Sequence, residues 1–214
     1  MAEAALAELQ DSILSGELPA GSPLRLEDLA ARLGMSISPV REAVRRLESL
    51  GLAVHVPHRG ARVSELALDD LRDTYEVRLV LEPLAVRRAA ERFTARDADE
   101  ARARLAEYAE AHERGDLRAA RDAHAGFHFT LYRASGSEWL LRLIRPAWEN
   151  CERYRAMSLQ RRSASEVERE HLRILDACVE HEPERAAAEL TRHLSATANL
   201  AARQLGAEEL FGDV

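Results

Sequence analysis

The chain has 214 residues, of which 30 are basic and 37 acidic, and its formal net charge is −7. Every basic residue is arginine, and 46% of the residues are hydrophobic while only 5% are aromatic. This apolar content excludes a disordered chain, and no apolar run approaches the roughly 18 residues that a membrane span needs. Taken as an average, the negative charge argues against a nucleic-acid partner.

Two observations predict the compartment. Cys151 and Cys178 are too few for a disulfide framework, and free thiols fit a reducing cytosol. The first five residues lack the basic and then apolar order of a signal peptide. We therefore expect a cytoplasmic protein with no membrane partner, whose length allows one large domain or two small ones.

The first third of the chain predicts three short helices followed by a β-hairpin. Apolar residues at helical spacing, bounded by glycine and proline, predict helices at 4–15, at 26–33 and from Ser36 or Ser38 to Gly51. Residues 52–63 instead have the pattern of two short strands around a turn. This order predicts a winged helix-turn-helix, whose third helix enters the major groove while the hairpin, or wing, touches the flanking backbone or minor groove.

From Leu68 onward the pattern is helical. It predicts six helices, at about residues 69–93, 97–114, 116–134, 137–159, 165–181 and 184–205, with one of the breaks at 161–163. Pro83 and Pro146 fall inside predicted helices and should kink or locally break them. Short connections favour an antiparallel bundle. We therefore expect a mainly α fold, with a DNA-binding domain at 1–64, a linker at 65–69 and an all-helical effector-binding and dimerisation domain at 70–214.

The charges are divided unevenly between these two parts. Residues 32–64 contain six Arg and two Glu, a local charge of +4, whereas residues 65–214 contain 23 Arg and 29 acidic residues, a charge of −6. Phosphate binding depends on local arginine and not on the average of the chain. The negative net charge therefore does not exclude DNA binding by the N-terminal part.

Several short motifs occur in a specific order within residues 9–64. They are Leu18-Pro19-Ala20-Gly21, Leu33-Gly34-Met35-Ser36, Ser38-Pro39-Val40-Arg41-Glu42-Ala43, Gly51-Leu52 and Arg59-Gly60-Ala61-Arg62-Val63. Together they resemble the N-terminal domain of the GntR-type bacterial transcription regulators. With the residue chemistry, the resemblance predicts DNA contacts from the start of the third helix and from the wing: Ser36, Ile37, Ser38, Arg41, Arg45, His58, Arg59, Gly60 and Arg62.

The residue types at the third helix suit DNA. Ser36 and Ser38 stand at its start, where hydroxyls and free N–H groups can hold a phosphate. Arg41 and Arg45 are four residues apart and share a helix face that can reach guanine edges or phosphates. Many relatives carry arginine in place of Ile37, so this chain is expected to make an apolar contact with a thymine methyl there. For any one of these arginines, the alternative is a solvated ion pair with a glutamate of the same helix.

Four histidines predict a metal site in the helical part. His124 and His128 are four residues apart, so both imidazoles project from one helix face and can meet one ion. His171 and His193 lie in two other predicted helices, each beside apolar residues. A single histidine in such a place is more often a hydrogen-bonded core residue than a ligand, but four in three packed helices favour a metal.

A second set of motifs covers about residues 69–206. It comprises Tyr75-Glu76-Val77-Arg78, Phe127-His128-Phe129, Ala134-Ser135-Gly136, Glu170-His171-Leu172 and His193-Leu194. These resemble the FCD effector domain of the FadR subfamily. Metal-binding members have an Asp-x-x-x-His pair and two later histidines, and here His124 stands in place of the aspartate. Because imidazole is softer than carboxylate, the resemblance implies Zn²⁺ or Ni²⁺ as the expected divalent ion, and the alternative is that the exchange abolishes metal binding.

The resemblance also implies a ligand for the open positions of such a metal. We expect a small carboxylate effector, with Arg78 as the partner of the carboxylate, since a guanidinium forms bidentate pairs. The alternative for Arg78 is an intrahelical pair with Glu82, four residues on.

The sequence as a whole predicts a homodimeric repressor that reads a pseudo-palindromic double-stranded DNA operator and responds to a metabolite. A purely metal-sensing regulator is the first alternative. A metal-dependent enzyme is the second, and no base or nucleophile is paired with the histidines in the sequence to support it.

Overall fold

The computed structural model describes residues 1–159 and 164–212. Its N-terminal part contains three helices, α1 (Ala2–Leu14), α2 (Leu26–Leu33) and α3 (Ile37–Ser49). A hairpin of β1 (Ala53–Val56) and β2 (Gly60–Val63) follows them. The strands are antiparallel, and Ala53 pairs with Val63 at one end of the hairpin while Val56 pairs with Gly60 at the other. This is the winged helix-turn-helix that the sequence predicts.

The helices of this part are held by a small apolar core of their own. Leu9 of α1, Val40 and Leu47 of α3, and Leu52 before the hairpin are all less than 2% exposed. Gly34 ends α2 in the left-handed conformation (φ 62°), which glycine adopts at little cost. This core holds α3 against α1 and α2, so the opposite face of α3 faces outward.

The rest of the described chain contains six helices. They are α4 (Leu68–Ala90), α5 (Ala95–Glu113), α6 (Leu117–Ala134), α7 (Glu138–Leu159), α8 (Ala164–Val179) and α9 (Pro183–Gln204). The bounds agree with the sequence prediction to within a few residues, and the mainly α fold class is confirmed. The predicted break at 161–163 lies outside the described residues. None of the helices in the described part has the length and apolar character that crossing a membrane requires.

The two prolines do not interrupt their helices, so of the predicted kink or local break the break does not occur. The α4 helix continues through Pro83 and the α7 helix continues through Pro146. A proline removes one backbone hydrogen bond from a helix interior. Pro83 itself is buried, and apolar packing on both sides of it favours the continuous helix.

The winged part contacts the helical part through α1 and through the segment that follows the hairpin. Asp11 of α1 forms ion pairs with Arg118, at 2.7 Å, and with Arg121, both from α6. Arg153 of α7 donates to the carbonyl of Ser64 at 2.9 Å and is 3.3 Å from the carboxylate of Asp70. The segment that connects the two parts is therefore held by α7, and α1 is held by α6.

Candidate DNA-reading surface and candidate metal centre

The start of α3 and the wing form one exposed surface. Ser36 is the N-cap residue of α3 with an extended backbone, and its side chain makes no capping hydrogen bond. Of the predicted contacts, Arg62 is half-buried, and the others are exposed: Ser36, Ile37, Ser38, Arg41, Arg45, His58, Arg59 and Gly60. The left-handed conformation of His58 (φ 61°) and Gly60 (φ 73°) makes the tight turn at the wing tip.

A groove of about 370 Å³ separates α3 from the wing. Arg41 and Arg45 line it from α3, and Arg59 lines it from the wing. Arg25 also lines this groove; it was not among the sequence-predicted contacts, because it stands before α2 outside any helix-face pattern. Arg46 points elsewhere and pairs with Glu3 of α1. The groove therefore concentrates positive charge where a phosphate backbone could lie.

The four predicted metal-ligating histidines meet inside the helical bundle. His124 and His128 come from α6, His171 from α8 and His193 from α9. Each is no more than 6% exposed, and one ring nitrogen from each lies within 4.8 Å of the others. Nε2 of His128 lies 3.2 Å from Nε2 of His171.

The environment of this four-histidine cluster favours neutral imidazole at His124 and His128. Burial lowers the pKa of His124 and of His128 well below the ordinary value, and nearby positive charge, including that of Arg155, lowers it further. Neutral imidazole is the form that binds a metal. Nδ1 of His124 is buried and has no hydrogen-bond partner within residues 1–159 and 164–212. A borderline-soft divalent ion fits this all-imidazole donor set.

Two of the imidazoles have polar partners at Nδ1. The hydroxyl of Tyr132 lies 3.2 Å from Nδ1 of His128, and Glu170 accepts a hydrogen bond from Nδ1 of His193 at 2.7 Å. Burial, and then the charge of Glu82, raise the pKa of Tyr132 well above its ordinary value, so its hydroxyl stays protonated. Sequence analysis missed both partners, although Tyr132 stands four residues after His128 and the helical spacing was a usable signal.

Arg78 forms the intrahelical pair that was the alternative in the sequence analysis. Its Nε and Nη2 donate to the two carboxylate oxygens of Glu82 at 2.6 and 3.1 Å. The guanidinium lies 5.0 Å from the ring centre of Tyr75 and 4.7 Å from that of Trp148. Arg78 is 5% exposed and Glu82 is fully buried. The charge of Arg78 is therefore already balanced, and a contact with an effector stays a prediction.

The two cysteines do not form a reactive site. Cys151 and Cys178 are both fully buried, and burial raises the pKa of each thiol to about 12. Since the thiolate is the reactive form, both side chains act as small buried apolar groups.

A winged helix-turn-helix with an arginine-lined groove, joined to a separate helical domain, defines a DNA-binding regulator with a second domain for control. The family models agree with this class. Residues 1–63 match the model of bacterial regulatory proteins of the gntR family, and residues 73–196 match the FCD domain. The chain belongs to the GntR family of bacterial regulatory proteins and carries an FCD domain.

Individual relatives are similar over most of their length. A "probable D-xylose utilization operon transcriptional repressor" of Paenarthrobacter nicotinovorans is 36% identical, over 86% of this chain and 81% of that protein. The regulator BphR of Paraburkholderia xenovorans is 32% identical, over 95% of this chain and 86% of that protein. The solved structure of Escherichia coli McbR/YncC is 25% identical, with a TM-score of 0.81 over 95% of this chain and 98% of that chain. These relatives are regulators, so the chain is a transcriptional regulator and not an enzyme.

Proposed function

We propose that this regulator is a cytoplasmic homodimeric repressor whose helical domain binds a divalent metal ion and a small carboxylate effector. The observation that carries the proposal is the convergence of four buried imidazoles whose ring nitrogens lie within 4.8 Å of one another. Zn²⁺ or Ni²⁺ is the expected ion, because both accept imidazole ligands. The likeness to a xylose-operon repressor favours repression over activation.

The ion would be held by His124, His128, His171 and His193. When bound, it would supply a positive centre whose open coordination positions accept a carboxylate oxygen. Arg78 would contact the same effector only by exchanging the carboxylate of Glu82 for that of the effector. An effector that makes this exchange would rearrange α4, which connects directly to the winged domain through residues 64–67.

Exposed apolar residues on two adjacent helices support a dimer. Val77 and Val80 of α4 are 45% and 69% exposed, and Trp139 and Leu143 of α7 are 69% and 53% exposed. The two helices pack against each other, so these four exposed apolar side chains belong to neighbouring elements that a second copy could cover. A second copy suits this surface because a two-fold axis pairs a patch with itself, and two winged domains then read two half-sites.

Arg41→Ala is expected to weaken binding to operator DNA about 5- to 150-fold, the loss of one contact to a base edge. The operator would first be selected from a random duplex library with the wild-type protein, and affinity then measured by fluorescence anisotropy at fixed salt. Arg46→Ala is the matched control, since Arg46 is on the same helix but pairs with Glu3. Equal affinities for Arg41→Ala and wild type would contradict the assignment.

The balanced charge of Arg78 favours one alternative, a regulator that senses the metal alone. The two functions differ in what releases the operator. The metal-free protein would be titrated on its selected duplex with Zn²⁺ alone and with Zn²⁺ plus a panel of small carboxylates. We expect release only in the presence of a carboxylate. Full release by Zn²⁺ alone would establish the alternative, and no change of affinity in either arm would exclude both.

A further inference from the structure

A chain of hydrogen bonds connects α4 to the four-histidine cluster. Arg78 and Glu82 are four residues apart on α4, and His128 and Tyr132 are four residues apart on α6. Glu82 accepts from Arg78 on both carboxylate oxygens, and its Oε2 also accepts from the hydroxyl of Tyr132 at 2.6 Å. The same hydroxyl oxygen is 3.2 Å from Nδ1 of His128. All four side chains are no more than 5% exposed.

The direction of these hydrogen bonds determines which ring nitrogen of His128 carries its hydrogen. A carboxylate has only acceptors, so the single hydroxyl proton of Tyr132 is donated to Glu82. The tyrosine oxygen can then only accept a hydrogen bond from His128. The donor in that contact is therefore the N–H at Nδ1 of His128. A neutral imidazole carries one N–H, so Nε2 of His128 carries a lone pair. That nitrogen is the one directed at His171 in the centre of the cluster.

We propose that Tyr132 is a positioning residue that holds His128 as the Nδ1–H tautomer and presents its Nε2 lone pair to the metal. This inference rests on the proposed metal site. Arg78 holds the Glu82 carboxylate that accepts the hydrogen bond from the tyrosine hydroxyl. His193 has a comparable second partner, since its Nδ1 donates to Glu170.

The tautomer can be read directly in metal-free protein. A long-range ¹H–¹⁵N spectrum of the histidine side chains distinguishes Nδ1–H from Nε2–H imidazole, and His128→Gln assigns the signals by their loss. We expect Nδ1–H for His128 in the wild-type protein. Nε2–H in the wild type would overturn the inference, whatever happens in any variant.

Tyr132→Phe removes the hydroxyl and keeps the ring. We expect His128 to shift towards Nε2–H, and the affinity for Zn²⁺, measured by competition with a chromogenic chelator, to fall about 10- to 100-fold. Tyr75→Phe is the matched control, because the Tyr75 hydroxyl is equally buried but has no hydrogen-bond partner in the described part of the chain. It should change neither the tautomer nor the affinity.

The two proposals fail in different ways. If Tyr132→Phe keeps the Nδ1–H signal and the wild-type affinity, Tyr132 does not position His128 and the inference is wrong. If both tyrosine variants lose affinity equally, the effect is one of packing and the inference is again wrong. If the wild-type protein takes up no Zn²⁺ or Ni²⁺, the proposed metal site is wrong, while the spectrum of the metal-free protein still decides the tautomer.

Discussion

Glu82→Ala is expected to lower the free energy of unfolding by about 3–5 kcal/mol, because it leaves the guanidinium of Arg78 buried without its counter-charge. Arg78 is 5% exposed and Glu82 is fully buried, so water cannot replace the lost carboxylate without opening the bundle. The hydroxyl of Tyr132 loses its acceptor in the same variant. Since whole domains are stable by only about 5–15 kcal/mol, this change should be visible as a large shift of the urea midpoint followed by circular dichroism.

Two further variants separate charge burial from a general loss of contacts. Glu184→Ala removes the partner of Arg87, also an α4 arginine, but the Glu184 side chain is 80% exposed. Glu184→Ala should lower the free energy of unfolding by less than about 1 kcal/mol. The double variant Arg78→Met with Glu82→Leu removes both buried charges and should recover most of the loss. If Glu82→Ala lowers the free energy of unfolding no more than Glu184→Ala does, the buried Arg78–Glu82 pair does not contribute the expected stability.

Zn²⁺ at a hundred times its dissociation constant is expected to raise the free energy of unfolding by about 2.7 kcal/mol. The reason is that the four ring nitrogens meet only in the folded chain, so the ion binds the folded state in preference to the unfolded one. Thermal unfolding with and without Zn²⁺ measures this. His171→Ala should abolish the stabilisation by Zn²⁺ and lower the melting temperature of the metal-free protein, since His171 is fully buried.

Controls for the metal prediction come from the same chain. His112→Ala changes an exposed histidine of α5 outside the cluster and should keep the full effect of Zn²⁺. His171→Ala should still bind operator DNA in the absence of effector, because the residue lies in the helical domain. If Zn²⁺ stabilises the wild-type protein and His171→Ala equally, the ion binds elsewhere. If His171→Ala loses DNA binding, the two domains do not divide their tasks as expected.

The winged fold could be predicted because its signals are local. The change from helical to alternating apolar spacing after Leu52 marks the hairpin, and glycine residues such as Gly34 mark helix ends. The four-histidine cluster also follows from local spacing, since His124 and His128 must share a face of any helix. Only the approach of the α8 and α9 histidines to those of α6 had to be assumed, and in the structure the four ring nitrogens lie within 4.8 Å of one another.

The unpredicted features depend on which groups are buried together. Helical spacing allows Arg78 either to pair with Glu82 or to bind a ligand, and it does not indicate that both side chains are buried together, as they are in the structure. Glu170 was not recognised because its contact with His193 crosses from α8 to α9. Pro83 was expected to kink or locally break its helix because it removes a backbone hydrogen bond, and this local reasoning does not include the packing of the buried residues on both sides, where the helix is continuous.

The contact between α1 and α6 sets how directly the two domains can influence one another. Arg121, which pairs with Asp11 of the winged domain, is three residues from His124 of the four-histidine cluster. At about 1.5 Å of rise per residue these two side chains are separated by less than one helical turn of the same α-helix. A helix of this kind moves as a unit, so a displacement of α6 that fits an ion or an effector at His124 displaces Arg121 by a comparable distance. If the proposed metal site is correct, the operator-reading domain contacts the helix that carries it within one turn of His124, and no long relay through the bundle is required.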